Sequence, residues 1–179
     1  MSRLKLRYPI ILCLLLLNLL TTNAQVRSSL SLGGGLTHPI FASDYDPSWF
    51  SSIHWNIGLN KHSSIDTHVD LAEIGVKDYA DLPGAENDNN LYQFGIGYRR
   101  YFTKGLFARA GLAAGIVSDG ETSGRIFPTV SIGHDLFFSD RHGLEFSLKN
   151  DFIRNLDYHK GVSVLSLGVA YKFRFSRGL

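Results

Sequence analysis

The sequence predicts an all-β protein, an eight-stranded antiparallel up-and-down transmembrane β-barrel. Three observations carry that expectation. Beyond residue 25, apolar and polar residues alternate with a period of two, and no stretch shows the 3.6-residue period of an amphipathic helix. The connections alternate between tight turns and long polar loops, as in barrels whose short turns are periplasmic and whose long loops are extracellular. The less apolar face of the strands carries balanced charges interleaved with glycines, which suits a narrow lumen better than a wetted surface.

Residues 1–24 stand apart from this pattern. Arg3, Lys5 and Arg7 precede an apolar run from Ile10 to Leu20, and Thr22-Asn23-Ala24 then supplies small residues before Gln25. That order is the one of a secretory signal peptide, with cleavage expected after Ala24. The run is too short for a comfortable membrane span. Cys13 lies inside it, after Ile10-Ile11-Leu12, so a lipoprotein is not expected. Residues 25–179 then form one domain. Without the leader the chain has 15 basic and 16 acidic side chains and no thiol, so the overall +2 carries no hint of nucleic acid. A disulfide framework and a cysteine zinc site are excluded for the same reason.

The strands follow in order. Leu30, Leu32 and Leu36 alternate with Ser29, Ser31 and the Gly33-Gly34-Gly35 run. Trp49 to Leu59, Ile65 to Leu71, Tyr92 to Arg99 and Leu106 to Ile116 alternate more strictly. Val130, Ile132 and Leu136 follow, with His134 and Phe137 as interruptions, and then Leu144 to Phe152 and Leu165 to Phe175. Tight turns fall at residues 60–63, 102–105 and 139–143. Longer connections fall at 37–48, 73–90, 118–124 and 153–161, where ten acids face Lys77, Arg154 and Lys160.

Alternation alone does not say which face is outside; a soluble lipocalin-like barrel has the same period. The lumen reading rests on charge balance. Asp66, Asp70, Asp135, Glu145 and Asp151 oppose Arg99, Arg109, Lys149, Lys172 and Arg174, and confined charges have to pair. Aromatics gather where strands meet turns, as in interfacial girdles: Trp49, Tyr98, Tyr101, Phe102, Phe138, Tyr171, Phe173 and Phe175.

With the leader, the segment Gly95-Ile96-Gly97-Tyr98-Arg99-Arg100-Tyr101-Phe102 and the final Tyr171-Lys172-Phe173-Arg174-Phe175, the chain resembles the small outer-membrane β-barrel proteins of Gram-negative bacteria, OmpX-like and PorT-like families among them. The resemblance implies a monomer among membrane lipids and lipopolysaccharide. It also implies recognition of the last strand by the barrel-insertion machinery, although here Ser176-Arg177-Gly178-Leu179 follow Phe175.

Chemistry is sparse. His54 and His68 flank the turn at residue 61 on the lumen face, opposite or diagonal to one another, with Asp66 and Asp70 near. Such a set can bind a metal, respond to protons or serve a hydrolase, and it can equally be a polar network that holds the barrel's shape. Barrels of the lipid A deacylase type resemble this architecture and use a His-x-Ser pair, whereas this chain has His54-Trp55-Asn56. The G-x-S-x-G, H-E-x-x-H and P-loop patterns are also absent, so no catalytic residue, cofactor or metal is assigned. The acidic loop from Glu73 to Asn90 could hold Ca²⁺ or a basic partner, though without EF-hand spacing. Tyr45, Trp49 and Phe50 could form an adhesive aromatic patch. The expected function is a non-enzymatic envelope protein with a plugged lumen, structural or partner-binding. The alternatives are a lipid-modifying enzyme and a soluble ligand-binding barrel.

Overall fold

The computed structural model describes residues 28–40, 45–76, 89–102, 105–118, 123–153 and 162–175. Nine strands lie among them: β1 (Ser29–Ile40), β2 (Tyr45–Asp46), β3 (Ser48–Asn60), β4 (Ser63–Val76), β5 (Asn89–Tyr101), β6 (Leu106–Ser118), β7 (Ser123–Phe137), β8 (His142–Ile153) and β9 (Val162–Arg174). All except β2 form one antiparallel ring, in the order β4-β3-β1-β9-β8-β7-β6-β5 and closed by β4 against β5. Each strand pairs with its chain neighbours and the first pairs with the last, so the ring has no open edge. Closure is what lets backbone N–H and C=O groups be satisfied where no water reaches them.

The register fixes the geometry. A hydrogen-bonded row leaves β1 at Ser29, passes Asn56, Asp66, Gly97, Gly111, Thr129, Asp151 and Val164, and returns to β1 at Pro39, 10 residues further along. That stagger forces the strands to tilt by about 35–45° against the barrel axis. Going from β3 through β5 to β9, each row therefore climbs from the short-turn end toward the long-loop end.

Tight turns join β3 to β4, β5 to β6 and β7 to β8. Gly105 follows the second of them with φ +96°, a left-handed backbone that a Cβ would strain. A register shift between Gly58 and Asn60 marks a bulge beside the first turn.

The apolar face is outside. Trp49, Trp55, Phe94, Ile96, Leu112, Ile132 and Leu167 are each more than half exposed, whereas Asp66 and Arg99 are fully buried. This is the inverse of a soluble barrel. The exposed apolar side chains run around the entire ring, far beyond the isolated patches of a water-soluble surface. A closed sheet with an apolar exterior spans a lipid bilayer.

Two expectations about the strands need correction. β7 begins at Ser123, not near Val130, and passes through Pro128. Its pairing with β8 starts at Thr129, so Pro128 lies just beyond that ladder and its missing N–H removes none of the paired rungs on that side. His134 and Phe137 do not interrupt the alternation. His134 faces outward and is exposed, whereas Phe137 turns inward at the short-turn mouth.

Candidate functional site

The lumen is built by the inward positions of all eight ring strands, and its charges connect into layers. Nearest the short turns, Lys172 donates to Asp135 at 2.7 Å and to Glu145 at 2.9 Å, while Tyr101 donates to Asp135 at 3.0 Å. Arg99 then grips Glu145 with both terminal nitrogens, at 2.8 and 3.0 Å, and reaches Asp66 at 2.9 Å. Its guanidinium rests 4.0 Å from the centre of the Phe107 ring. The fork geometry of arginine suits this bridging, because one cation serves two carboxylates. Above it, Arg109 donates to Asp66 at 2.6 Å. Higher still, Lys149 sits between Asp70 at 2.5 Å and Asp151 at 2.8 Å, and Gln93 ties the same two carboxylates at 2.6 and 3.3 Å.

His54 and His68 lie at the centre. They pair directly across β3 and β4, with their rings stacked 5.3 Å apart. Asp66 is near both Nδ1 atoms, at 3.3 and 3.4 Å, and Asp70 is near both Nε2 atoms, at 3.8 and 4.0 Å. His54, Asp66 and His68 have the composition and closeness of a metal-binding triad. Its cation position is already filled by the protein itself: Nη1 of Arg109 stands 2.6 Å from Asp66, 3.0 Å from His54 Nδ1 and 3.4 Å from His68 Nδ1. A divalent ion there would meet a fixed guanidinium. The observed arrangement works as an internally neutralised strut.

The two ends of the lumen differ. Toward the short turns it opens into a vestibule of about 680 Å³, walled by Asn56, Ser64, Tyr101, Asp135, Phe137 and Lys172 among others. Toward the long loops it holds an apolar cluster of Tyr45, Ile74, Leu91, Ala113, Phe127, Ile153, Val162 and Val164, all buried. Charges therefore fill the middle, and a cluster of buried apolar side chains, a hydrophobic cap, lies toward the far end.

The closed eight-stranded ring has counterparts among solved structures. The Neisserial surface protein A crystal structure aligns at 18% identity, covering 83% of this chain and 96% of that one, with a TM-score of 0.55. Ail, the attachment invasion locus protein of Yersinia pestis, aligns at 15% identity over 83% and 99% of the two chains, with a TM-score of 0.52. The outer membrane protein OprG from Pseudomonas aeruginosa gives 10%, 84% and 98%, with a TM-score of 0.57. This is the fold of the small outer-membrane β-barrels. No family model and no curated protein sequence matches the chain.

Against that outer-membrane barrel fold, the residues singled out in the sequence sort clearly. Nine of the ten paired charges are buried in the lumen; Arg174 is the exception, lying at the mouth with its guanidinium 3.3 Å from the centre of the Phe137 ring. Tyr101 leaves the expected girdle. Two positions beyond Arg99 on the same strand, it points inward to Asp135 and Lys172. The aromatic patch is not formed, because Tyr45 belongs to the cap and Phe50 to the lumen wall, and Trp49 alone faces outward. The expected leader at residues 1–24, residues 77–88 of the expected acidic loop and residues 176–179 lie outside the described residues. The cap was not anticipated. Its signal was present in short runs where both parities are apolar, such as Ile126-Phe127 and Phe152-Ile153.

Proposed function

We propose that the chain is a non-enzymatic integral protein of a bacterial outer membrane, reached through a cleaved leader over residues 1–24, and that its lumen is closed. It would act as a structural element and as a platform for its long connections. The observation that carries this reading is the combination of an apolar exterior with an interior blocked twice. The ion network fills the middle and the apolar cluster seals the long-loop end. A closed lumen leaves the long, acid-rich connections as the part of the molecule able to meet an external partner.

His54 supports the non-enzymatic side. Its hydrogen-bond partners are Asp66 and Arg109, neither of which is a hydroxyl or thiol that the imidazole could activate as a base. The barrel is expected to migrate faster on gels before heating than after, and to give no stable current steps in planar bilayers. Large, stable conductance from a heat-modifiable preparation would refute the closed lumen. Mass spectra of lipid A are expected to be identical with and without the protein, and altered acyl chains would refute the non-enzymatic reading.

A further inference from the structure

A shallow groove on the outer wall has the shape and charge of a lipid site. It holds about 500 Å³ and is floored by Ala108 and Ala110 on β6, with Tyr98, Val130, Ile132 and Leu148 rising around it. The depression has a simple origin. Ala110 pairs with Tyr98 and Val130, and Ala108 pairs with Arg100 and Ile132, so two small side chains sit between rows of large ones.

Arg100 borders this groove at its short-turn end, one residue before the end of β5 at Tyr101. Among the described strands it is the one outward-facing Lys or Arg; Arg99, Arg109, Lys149 and Lys172 are buried in the lumen, and Arg125 and Arg174 are at inward register positions. A cation on the lipid-facing wall is costly at the bilayer midplane and nearly free at the interface, which places Arg100 at headgroup level. From there the groove follows the climbing rows toward Leu165 on β9, deeper into the apolar belt. A headgroup cation leading into an inclined apolar trough matches an anionic headgroup with its acyl chain.

We propose that this groove binds an anionic phospholipid of the leaflet at the short-turn end, with its phosphate on Arg100 and an acyl chain over Ala108 and Ala110. The inference rests on reading the apolar wall as lipid-facing. Native mass spectrometry of the detergent-solubilised full chain, titrated with phosphatidylglycerol or phosphatidylcholine, tests it. One basic side chain at a membrane surface favours an anionic lipid by about fivefold, so phosphatidylglycerol should be retained about fivefold over phosphatidylcholine. R100Q should erase that preference while binding of either lipid persists. A110F should fill the groove and weaken both, and both variants should keep heat-modifiable mobility, since neither side chain enters the lumen. Equal retention by the intact barrel, or an undiminished preference in R100Q, would overturn the site alone. Stronger competition by lipid A than by phosphatidylglycerol would overturn the phospholipid assignment. Solubility without detergent and no bound lipid at all would overturn the membrane reading beneath it.

Discussion

Asp66 is the residue on which the lumen network turns. It accepts from Arg99 at 2.9 Å and from Arg109 at 2.6 Å, and stands within 3.4 Å of both histidines. Arg99 keeps Glu145 if Asp66 is neutralised, but Asp66 is the carboxylate Arg109 holds. D66N is therefore expected to cost about 3–5 kcal/mol by leaving a buried guanidinium uncompensated. The loss should appear as a lowered urea or thermal midpoint of the heat-modifiable form. Adding R109Q should restore part of it, because the double variant removes the orphaned charge with its partner. Gly95 makes a second residue-scale case. It pairs with His68, and a Cβ there would overlap the imidazole ring itself. G95A should lower the same midpoint, by about 1–3 kcal/mol, through overpacking against a side chain fixed by its stacked neighbour. An unchanged midpoint in either variant would contradict the packing described.

At the scale of the element, β4 shows how strictly the face assignment depends on register. Asp66, His68 and Asp70 point inward and Val69 and Leu71 outward, and a slip of one residue exchanges the two sets. One alanine inserted between Thr67 and His68 is expected to aim His68 and Asp70 at lipid and to abolish the heat-modifiable form. The same insertion in the turn at Lys61-His62, outside the paired strand, should be tolerated. This dependence on parity also explains what was legible in the sequence. The strands and their inner charges were readable because one face is apolar and the other is not. Symmetry about residue 61 puts His54 and His68 opposite or one diagonal apart, and they pair directly. The cap was not readable. Near the long-loop end both faces are apolar, so the period-two signal vanishes at Ile126-Phe127 and the alternation alone starts β7 too late. Tyr101 was misplaced for a different reason, since proximity to a turn outweighed parity with Arg99. The neutralisation of the histidine site by Arg109 needs a contact across 41 residues of sequence, which pattern alone cannot supply.

For the whole molecule, the central claim is that the exterior of the closed ring faces lipid. The chain carries its own reporters, because its two tryptophans, Trp49 and Trp55, both lie on the outer wall and are more than half exposed. Trp55 sits midway along β3, opposite Leu30 and Thr67, and Trp49 lies near the strand's long-loop end. In vesicles containing lipids brominated on their acyl chains, fluorescence from both should be strongly quenched, with W49F and W55F isolating each signal. Aqueous iodide should have little effect on Trp55. Strong quenching of Trp55 by iodide, with none by brominated lipid, would contradict the account.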